Sequence, residues 1–268
     1  MTLSEFPEPG LTEEQVAQFW EDGFICGIPI LTERQTEIAR LRFLALEEKA
    51  MEAAGASWSD DSYAPWNAGK HPLRSWFHAM STHPRILAAV SSLLGPNLLI
   101  RNGDVFMKQP GARRRISWHV DSTAHIDEAR YMVTAWLAMS ESSLTNGCMQ
   151  FIPGSHRRPL PARNKDKHSL TIEGDDLDAL KHAPTHDNLM RPGQLSIHCF
   201  RTLHRSGRNK TQNRRFGYIT RFIAPSVSAE ASECGQAFLA LGENTPQNVQ
   251  IRPTFPVWWQ RSDPNEAR

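Results

Sequence analysis

Nothing in this chain approaches the ~20 consecutive apolar residues that a bilayer crossing needs, so no membrane span is expected. A surplus of one charge is also missing. The 30 basic and 29 acidic residues leave a net charge of +1, which argues against a nucleic-acid surface or a polybasic membrane patch. Cysteine is scarce: Cys26, Cys148, Cys199 and Cys234 are scattered without C-x-x-C spacing. Neither a disulfide frame nor a zinc site is expected, and such thiols fit a reducing compartment. The opening residues Met1-Thr2-Leu3-Ser4-Glu5-Phe6 lack the basic and apolar stretches of a signal peptide. A cytoplasmic protein is the expectation.

What is present is an ordinary globular composition, 40% apolar and 22% charged over 268 residues, enough for one large domain with a buried core. Hydrophobic periodicity predicts a helix from Thr12 to Asp22, where Thr12 and Gln15 form a capping box ahead of Val16, Phe19 and Trp20. A second helix is expected from Thr32 to about Ala54, and a third from Thr82 to Leu94, stopping at Gly95-Pro96. Residues 55–80, with Trp58, Trp66 and Trp76, have little periodicity and read as a connection or part of a substrate pocket. Beyond Leu98 the pattern turns strand-like, at 98–107, 129–139, 148–152, 193–200 and 215–224. The polar stretch 157–190 reads as an insertion that could cover a site. Residues 226–268 read as a tail whose Phe255, Val257, Trp258 and Trp259 fold back on the core. A single domain is expected, with a helical layer at about 12–95, a β core at about 98–225, and the tail.

The chemistry concentrates in Trp118-His119-Val120-Asp121 and, much later, in His204-Arg205-Ser206-Gly207-Arg208-Asn209 running on to Arg214-Arg215. In an extended segment residues i and i+2 point the same way, so His119 and Asp121 can converge on one ion. Two imidazoles and one carboxylate form the facial triad of a non-haem Fe(II) centre, which leaves three positions open for cosubstrate and O₂. The third ligand must come from another strand, and His204 and His198 are the candidates. Arg215 presents a planar fork that can grip the far carboxylate of a keto acid. Arg214, its neighbour, faces the other way in a strand and is the natural control.

Three further strings surround these: Trp136-Leu137-Ala138-Met139, Asn146-Gly147-Cys148-Met149-Gln150-Phe151-Ile152-Pro153-Gly154-Ser155-His156, and Pro192-Gly193-Gln194-Leu195-Ser196-Ile197-His198. In this order and spacing the chain resembles the phytanoyl-CoA dioxygenase-like branch of the Fe(II)/2-oxoglutarate oxygenases over roughly residues 12–225. The resemblance implies a mainly β fold with flanking helices, a double-stranded β-helix (jelly-roll, cupin-like) barrel under an N-terminal helical layer. It implies Fe(II) on His119, Asp121 and His204, and 2-oxoglutarate on Arg215 with Ser206. Asn102, Lys108 and Thr134 occupy positions that in relatives face the cosubstrate, and His156 closes a turn of structural role. The family's chlorinating members lack the carboxylate, so Asp121 favours hydroxylation of a small molecule, with release of succinate and CO₂. Desaturation, epimerisation or ring closure at the same iron is the alternative, and a non-catalytic metal-binding barrel is the reading from another class. The substrate is expected to be small, and anionic or carrier-bound if Arg113, Arg114 and Arg115 contact it. Trp66, Asn67, Arg74 and Trp76 are the other pocket candidates.

Overall fold

The computed structural model describes residues 9–54, 74–122, 126–158, 170–171, 180, 182–230 and 236–252. Helix α1 (Glu13–Asp22) starts where the sequence places it. The Thr12 side chain accepts from the Gln15 backbone N–H, Gln15 caps back onto Thr12, and Gly23 ends the helix in a left-handed conformation. Strand β1 (Phe24–Pro29) follows, then α2 (Glu33–Ala54), α3 (Arg74–Ser81) and α4 (Pro84–Leu94), the last with a proline in its first turn. Helix α3 falls in a segment read as lacking periodicity. It is short, and its large apolar residues are Trp76, Phe77 and Met80, too few to set a period against the polar stretch before them.

The remaining strands are β2 (Leu98–Lys108), β3 (Ile116–Val120), β4 (Met132–Ala138), β5 (Met149–Phe151), β6 (Leu170–Thr171), β7 (His186–Asp187), β8 (Gln194–Cys199), β9 (His204–Ser206), β10 (Arg215–Ile223), β11 (Gln236–Leu241) and β12 (Gln250–Arg252), with the one-turn helix α5 (Ile126–Ala129) between β3 and β4. They form a seven-stranded sheet in the order β1-β8-β4-β10-β2-β11-β12 and a five-stranded sheet in the order β6-β3-β9-β5-β7. Two facing sheets of this kind, with helices on the outside of the larger, make the jelly-roll expected from the resemblance.

The helices cover the outer face of the larger sheet. Val105, Val133, Ala135, Leu137, Leu195, Ile197, Phe216, Tyr218 and Phe222 alternate along β2, β4, β8 and β10, and they join Phe43, Trp76, Met80, Ile86 and Val90 in one buried cluster. Tyr218 stacks on Phe77 at 5.3 Å and meets Trp76 edge-on at 5.4 Å. Each such fully buried large side chain contributes on the order of 1.5–3 kcal/mol. Trp76 therefore belongs to this core, donating its indole N–H to the Ala39 carbonyl at 3.1 Å. It does not line the pocket. Because the outer positions are spent on core, the residues between them face the space between the sheets.

The C-terminal segment is more integrated than a tail. Strand β11 pairs with β2 and β12 pairs with β11, which extends the larger sheet. Phe255, Val257, Trp258 and Trp259 lie outside the described residues. Within the 157–190 insertion, residues 159–169, 172–179 and 181 lie outside the described residues. Leu180 and Ala183 pack on Trp118, Val120, Ile152 and Leu203, on the outer face of the smaller sheet, and its strands β6 and β7 extend that sheet at its edges.

Burial holds several histidines neutral. The His83 imidazole is pushed down to about 4 by burial, with Arg85 adding to it, and burial also lowers His78 and His156. The folded form takes up these protons less readily than the unfolded chain, whose imidazoles titrate near 6.5. Their contribution to stability is therefore complete above about pH 6.5 and is lost as pH falls toward 4. The urea midpoint of the metal-free protein is expected to drop across that window, and a flat midpoint would contradict it.

Candidate metal centre

Strand β3 carries a bulge between Ile116 and His119. The bulge resets the alternation so that His119 and Asp121 face inward, while Trp118 and Val120 pack outward. His119 stands directly opposite His204 on β9, their rings 4.0 Å apart. Among the described residues, His119, Asp121 and His204 form the group whose ligand atoms lie within 4.8 Å of one another. The Nδ1 atoms of His119 and His204 each lie 2.9 Å from the carbonyl two residues back, Ser117 and Thr202. Those bonds leave both Nε2 atoms as the free ring nitrogens.

The electrostatics suit a cation. Burial lowers His119, and it holds His204 well below the usual imidazole range, with His119 and His198 adding to the effect. Both rings are neutral donors at neutral pH. Burial alone would raise the Asp121 carboxyl, but Arg221, His198 and His204 overcome it and hold the group well below the ordinary carboxylate value. Two neutral imidazoles and one carboxylate, aimed at one point between the sheets, fit a labile divalent metal with open positions.

Ser155 and His156 brace this region from outside. The Leu203 N–H donates to Ser155 Oγ at 2.9 Å, just ahead of His204, and His156 Nε2 lies 3.2 Å from the Trp20 carbonyl. The loop after β9 is tied by Asn209, whose amide donates to the carbonyls of Lys108, Gln109 and Asn213 at 3.2, 3.1 and 2.8 Å. Gly147 sits at φ +78° where any Cβ would run into the Gly207 and Arg208 carbonyls, which explains the Asn-Gly pair.

Arg215 opens β10 opposite Lys108 and is 1% exposed. Its Nε, Nη1 and Nη2 atoms all lack a hydrogen-bond partner among the described residues. So does the Oγ of Ser206, which is 5% exposed. Leaving a buried charged group unpaired is costly, and burial pushes Arg215 down to about 10. The guanidinium lies 4.9 Å from the Trp136 ring and 5.7 Å from Phe106, and both aromatics line the cleft that holds the triad. A ligand with a carboxylate end would satisfy these orphaned donors, so the residues fit 2-oxoglutarate. Lys108 is occupied instead, donating to the Gly207 carbonyl at 2.7 Å and the Arg114 carbonyl at 3.3 Å. Burial and the nearby charges of Arg215 and Arg114 lower it to about 7. Thr134 donates to Asp121, and Asn102 accepts from Arg221 at 3.3 Å.

Trp136 owes its place to Gly217, the next inward position on β10. A Cβ on Gly217 would overlap the indole ring, which is 1% exposed and has nowhere to move. Gly217→Ala is expected to cost about 1–3 kcal/mol by overpacking and to raise the 2-oxoglutarate requirement, because Trp136 flanks Arg215. Thermal unfolding and cosubstrate titration check both, and an unchanged pair of values would contradict the packing.

The cleft, triad and open mouth together, encloses about 620 Å³, and the rest of its wall is formed by the apolar Phe106, Ile116, Met149 and Ile219 and the charged Asp104 and Arg221. Arg221 lies 3.7 Å from Asp104 and 3.6 Å from Asp121. Arg113, Arg114 and Arg115 are exposed and do not line it. Trp66 and Asn67 fall outside the described residues, as does the Arg74 side chain. Arg221, Asp104 and Trp136 were not singled out from sequence. The two-residue period from Arg215 through Gly217 and Ile219 to Arg221 carried the signal for the first.

The family model for phytanoyl-CoA dioxygenase (PhyH) matches residues 19–217. The chain belongs to this family. It is thereby an enzyme of the non-haem Fe(II)/2-oxoglutarate-dependent oxygenases, working with Fe(II), 2-oxoglutarate and O₂. Dioxygenase lolE1 of Epichloe uncinata is 24% identical to it over 225 residues, covering 80% of this chain and 84% of the relative. The solved structure of the non-haem monooxygenase ThoJ as a nickel complex aligns with a TM-score of 0.67 at 25% identity, covering 94% of each chain. The non-haem α-ketoglutarate-dependent carbocyclase SnoK from nogalamycin biosynthesis aligns with a TM-score of 0.62 at 21% identity, covering 96% of this chain and 95% of that one; at that identity it speaks for the fold alone. The chain spans 41% of the length of mouse peroxisomal phytanoyl-CoA dioxygenase. Among the described residues of this PhyH-family chain, no helix is long and apolar enough to cross a membrane.

Proposed function

We propose that this enzyme hydroxylates a small-molecule metabolite, with His119, Asp121 and His204 holding the iron and Arg215 with Ser206 holding the far carboxylate of 2-oxoglutarate. The observation that carries the reading is the buried Arg215 guanidinium, whose three nitrogens have no partner among the described residues, together with the equally unpartnered Ser206 hydroxyl. A non-catalytic barrel would have no use for that charge. When bound, iron with 2-oxoglutarate and O₂ supplies an oxidant strong enough to oxidise an unactivated C–H bond, releasing succinate and CO₂.

The chain's own residues supply position and exclusion. His119 and His204 stay neutral and offer Nε2, and Asp121 stays ionised. Arg215 and Ser206 fix the keto acid at its far end, so that its near end meets the metal in one orientation. Phe106, Ile116, Met149 and Ile219 give the substrate an apolar wall and keep water from the reacting carbon. Asp121 supplies the carboxylate whose loss marks the chlorinating members, which favours oxygen transfer. A cytoplasmic setting fits the free thiols Cys26, Cys148 and Cys199, and residues 1–268 read as one domain. The test is a panel of candidate metabolites with Fe(II), 2-oxoglutarate and O₂. The expected result is succinate release above the substrate-free rate, with a product heavier by one oxygen atom. A product lighter by two hydrogens would assign desaturation or ring closure instead.

A further inference from the structure

The inner face of the larger sheet carries a straight polar row across four strands. Thr134 on β4 stands opposite His198 on β8 and opposite Arg221 on β10, and Arg221 stands opposite Asn102 on β2. The row faces Asp121, which arrives from the smaller sheet with its backbone N–H bonded to the Phe200 carbonyl at 2.8 Å, just past β8. Asp121 Oδ2 takes two hydrogen bonds, one from the Thr134 hydroxyl and one from His198 Nε2 at 3.1 Å. Oδ1 takes none from the row. Arg221, steadied by Asn102, is the nearest cation at 3.6 Å, beyond hydrogen-bond reach. His198 is 1% exposed, and its Nδ1 has no partner among the described residues. That suits the tautomer with its proton on Nε2, since a bare lone pair is cheaper to bury than an unpaired N–H.

A carboxylate can bind a metal through one oxygen or both. The difference matters at a centre with three protein ligands, where a chelating keto acid takes two of the three open positions and O₂ needs the third. A second Asp121 oxygen on the metal would compete for one of them. We propose that Thr134 and His198 are positioning residues that hold Asp121 Oδ2 away from the metal, so that Asp121 ligates through Oδ1 alone and the third position stays open. This rests on the reading of His119, Asp121 and His204 as the metal centre. It also gives His198 a task distinct from the ligand role for which it competed with His204. The hydrogen bonds come from the sheet opposite the one that supplies the ligands, so the two sheets are joined at the metal's only carboxylate.

The experiment uses the full chain, loaded anaerobically with Fe(II) or with Co(II) as a spectroscopic substitute. Thr134→Val keeps the volume and removes one bond. The double variant Thr134→Val/His198→Phe removes both, and Thr134→Ser restores the hydroxyl. Metal affinity is expected to stay within about threefold of the parent in the first two, because freed Oδ2 can join the ion. Affinity for 2-oxoglutarate is expected to fall roughly 10- to 100-fold in the double variant, with a smaller loss in Thr134→Val and recovery in Thr134→Ser. The Co(II) absorption should change shape before cosubstrate is added. Unaltered 2-oxoglutarate affinity in Thr134→Val would overturn the proposal even if the double variant failed to fold. Loss of the metal itself in that variant would also overturn it, by showing that the row merely supports the site. Full metal binding in His119→Ala would overturn the metal-centre reading, and the proposal with it.

Discussion

Arg215→Ala is expected to weaken 2-oxoglutarate binding by roughly 30-fold or more while leaving Fe(II) binding nearly intact. Truncating one side of a buried charge-assisted pair costs on the order of 2–5 kcal/mol, much of it the cost of leaving the other charge unpaired, and each 1.4 kcal/mol is about tenfold. Arg215 is 1% exposed between Trp136 and Phe106, so no water replaces its fork. Arg215→Lys keeps the charge but loses the two-pronged geometry, and should fall between the two. Arg214 remains the comparator, with a difference that only the structure reveals. It pairs with Glu47 at 2.9 Å, and Glu47 is 5% exposed. Arg214→Ala should therefore lower thermal stability, because it strands a buried carboxylate, yet barely affect the cosubstrate. Equal losses of 2-oxoglutarate affinity in the two Ala variants would mean that the inward face of β10 is misassigned.

The second large effect is on the metal. His119→Ala, Asp121→Ala and His204→Ala should each lose Fe(II) affinity by more than about 100-fold, the upper end of what even an outer partner of a metal ligand can cost, against the roughly threefold expected for Thr134 and His198. Two protein ligands do not hold a labile divalent ion against water. His198→Ala should retain most of the affinity, because its Nε2 is spent on Asp121. Calorimetric titration of the metal-free protein separates the two classes. Comparable losses in His198→Ala and His204→Ala would erase the distinction.

The facing of these groups was legible in the sequence wherever a two-residue period reports a strand face. His119 with Asp121 and His204 with Ser206 follow that rule, and so does the contrast between Arg214 and Arg215. The bulge before His119 was not legible, since nothing in Ile116-Ser117-Trp118 marks an extra residue. Helices α1, α2 and α4 announced themselves through caps and apolar stripes, whereas α3 was too short to show a period. The row formed by His198, Thr134, Arg221 and Asn102 depends on the register of four strands distant in sequence, which no local pattern encodes. Strand β11 was hidden for the same reason: its place beside β2 is a long-range pairing. The indoles divide in the same way. Trp136 is next to Arg215 only because Gly217 leaves room for it, and Trp76, a pocket candidate in the sequence, belongs to the helical core.

The most direct test is an anaerobic titration of the metal-free protein with Fe(II) and then 2-oxoglutarate, followed by visible absorption. One iron per chain should bind, and 2-oxoglutarate should then produce a metal-to-ligand charge-transfer band. At the same concentrations that band should be absent in His204→Ala and should require far more cosubstrate in Arg215→Ala. A full-strength band in His204→Ala together with its loss in His198→Ala would contradict the ligand set, and no band in the parent protein would contradict the centre itself.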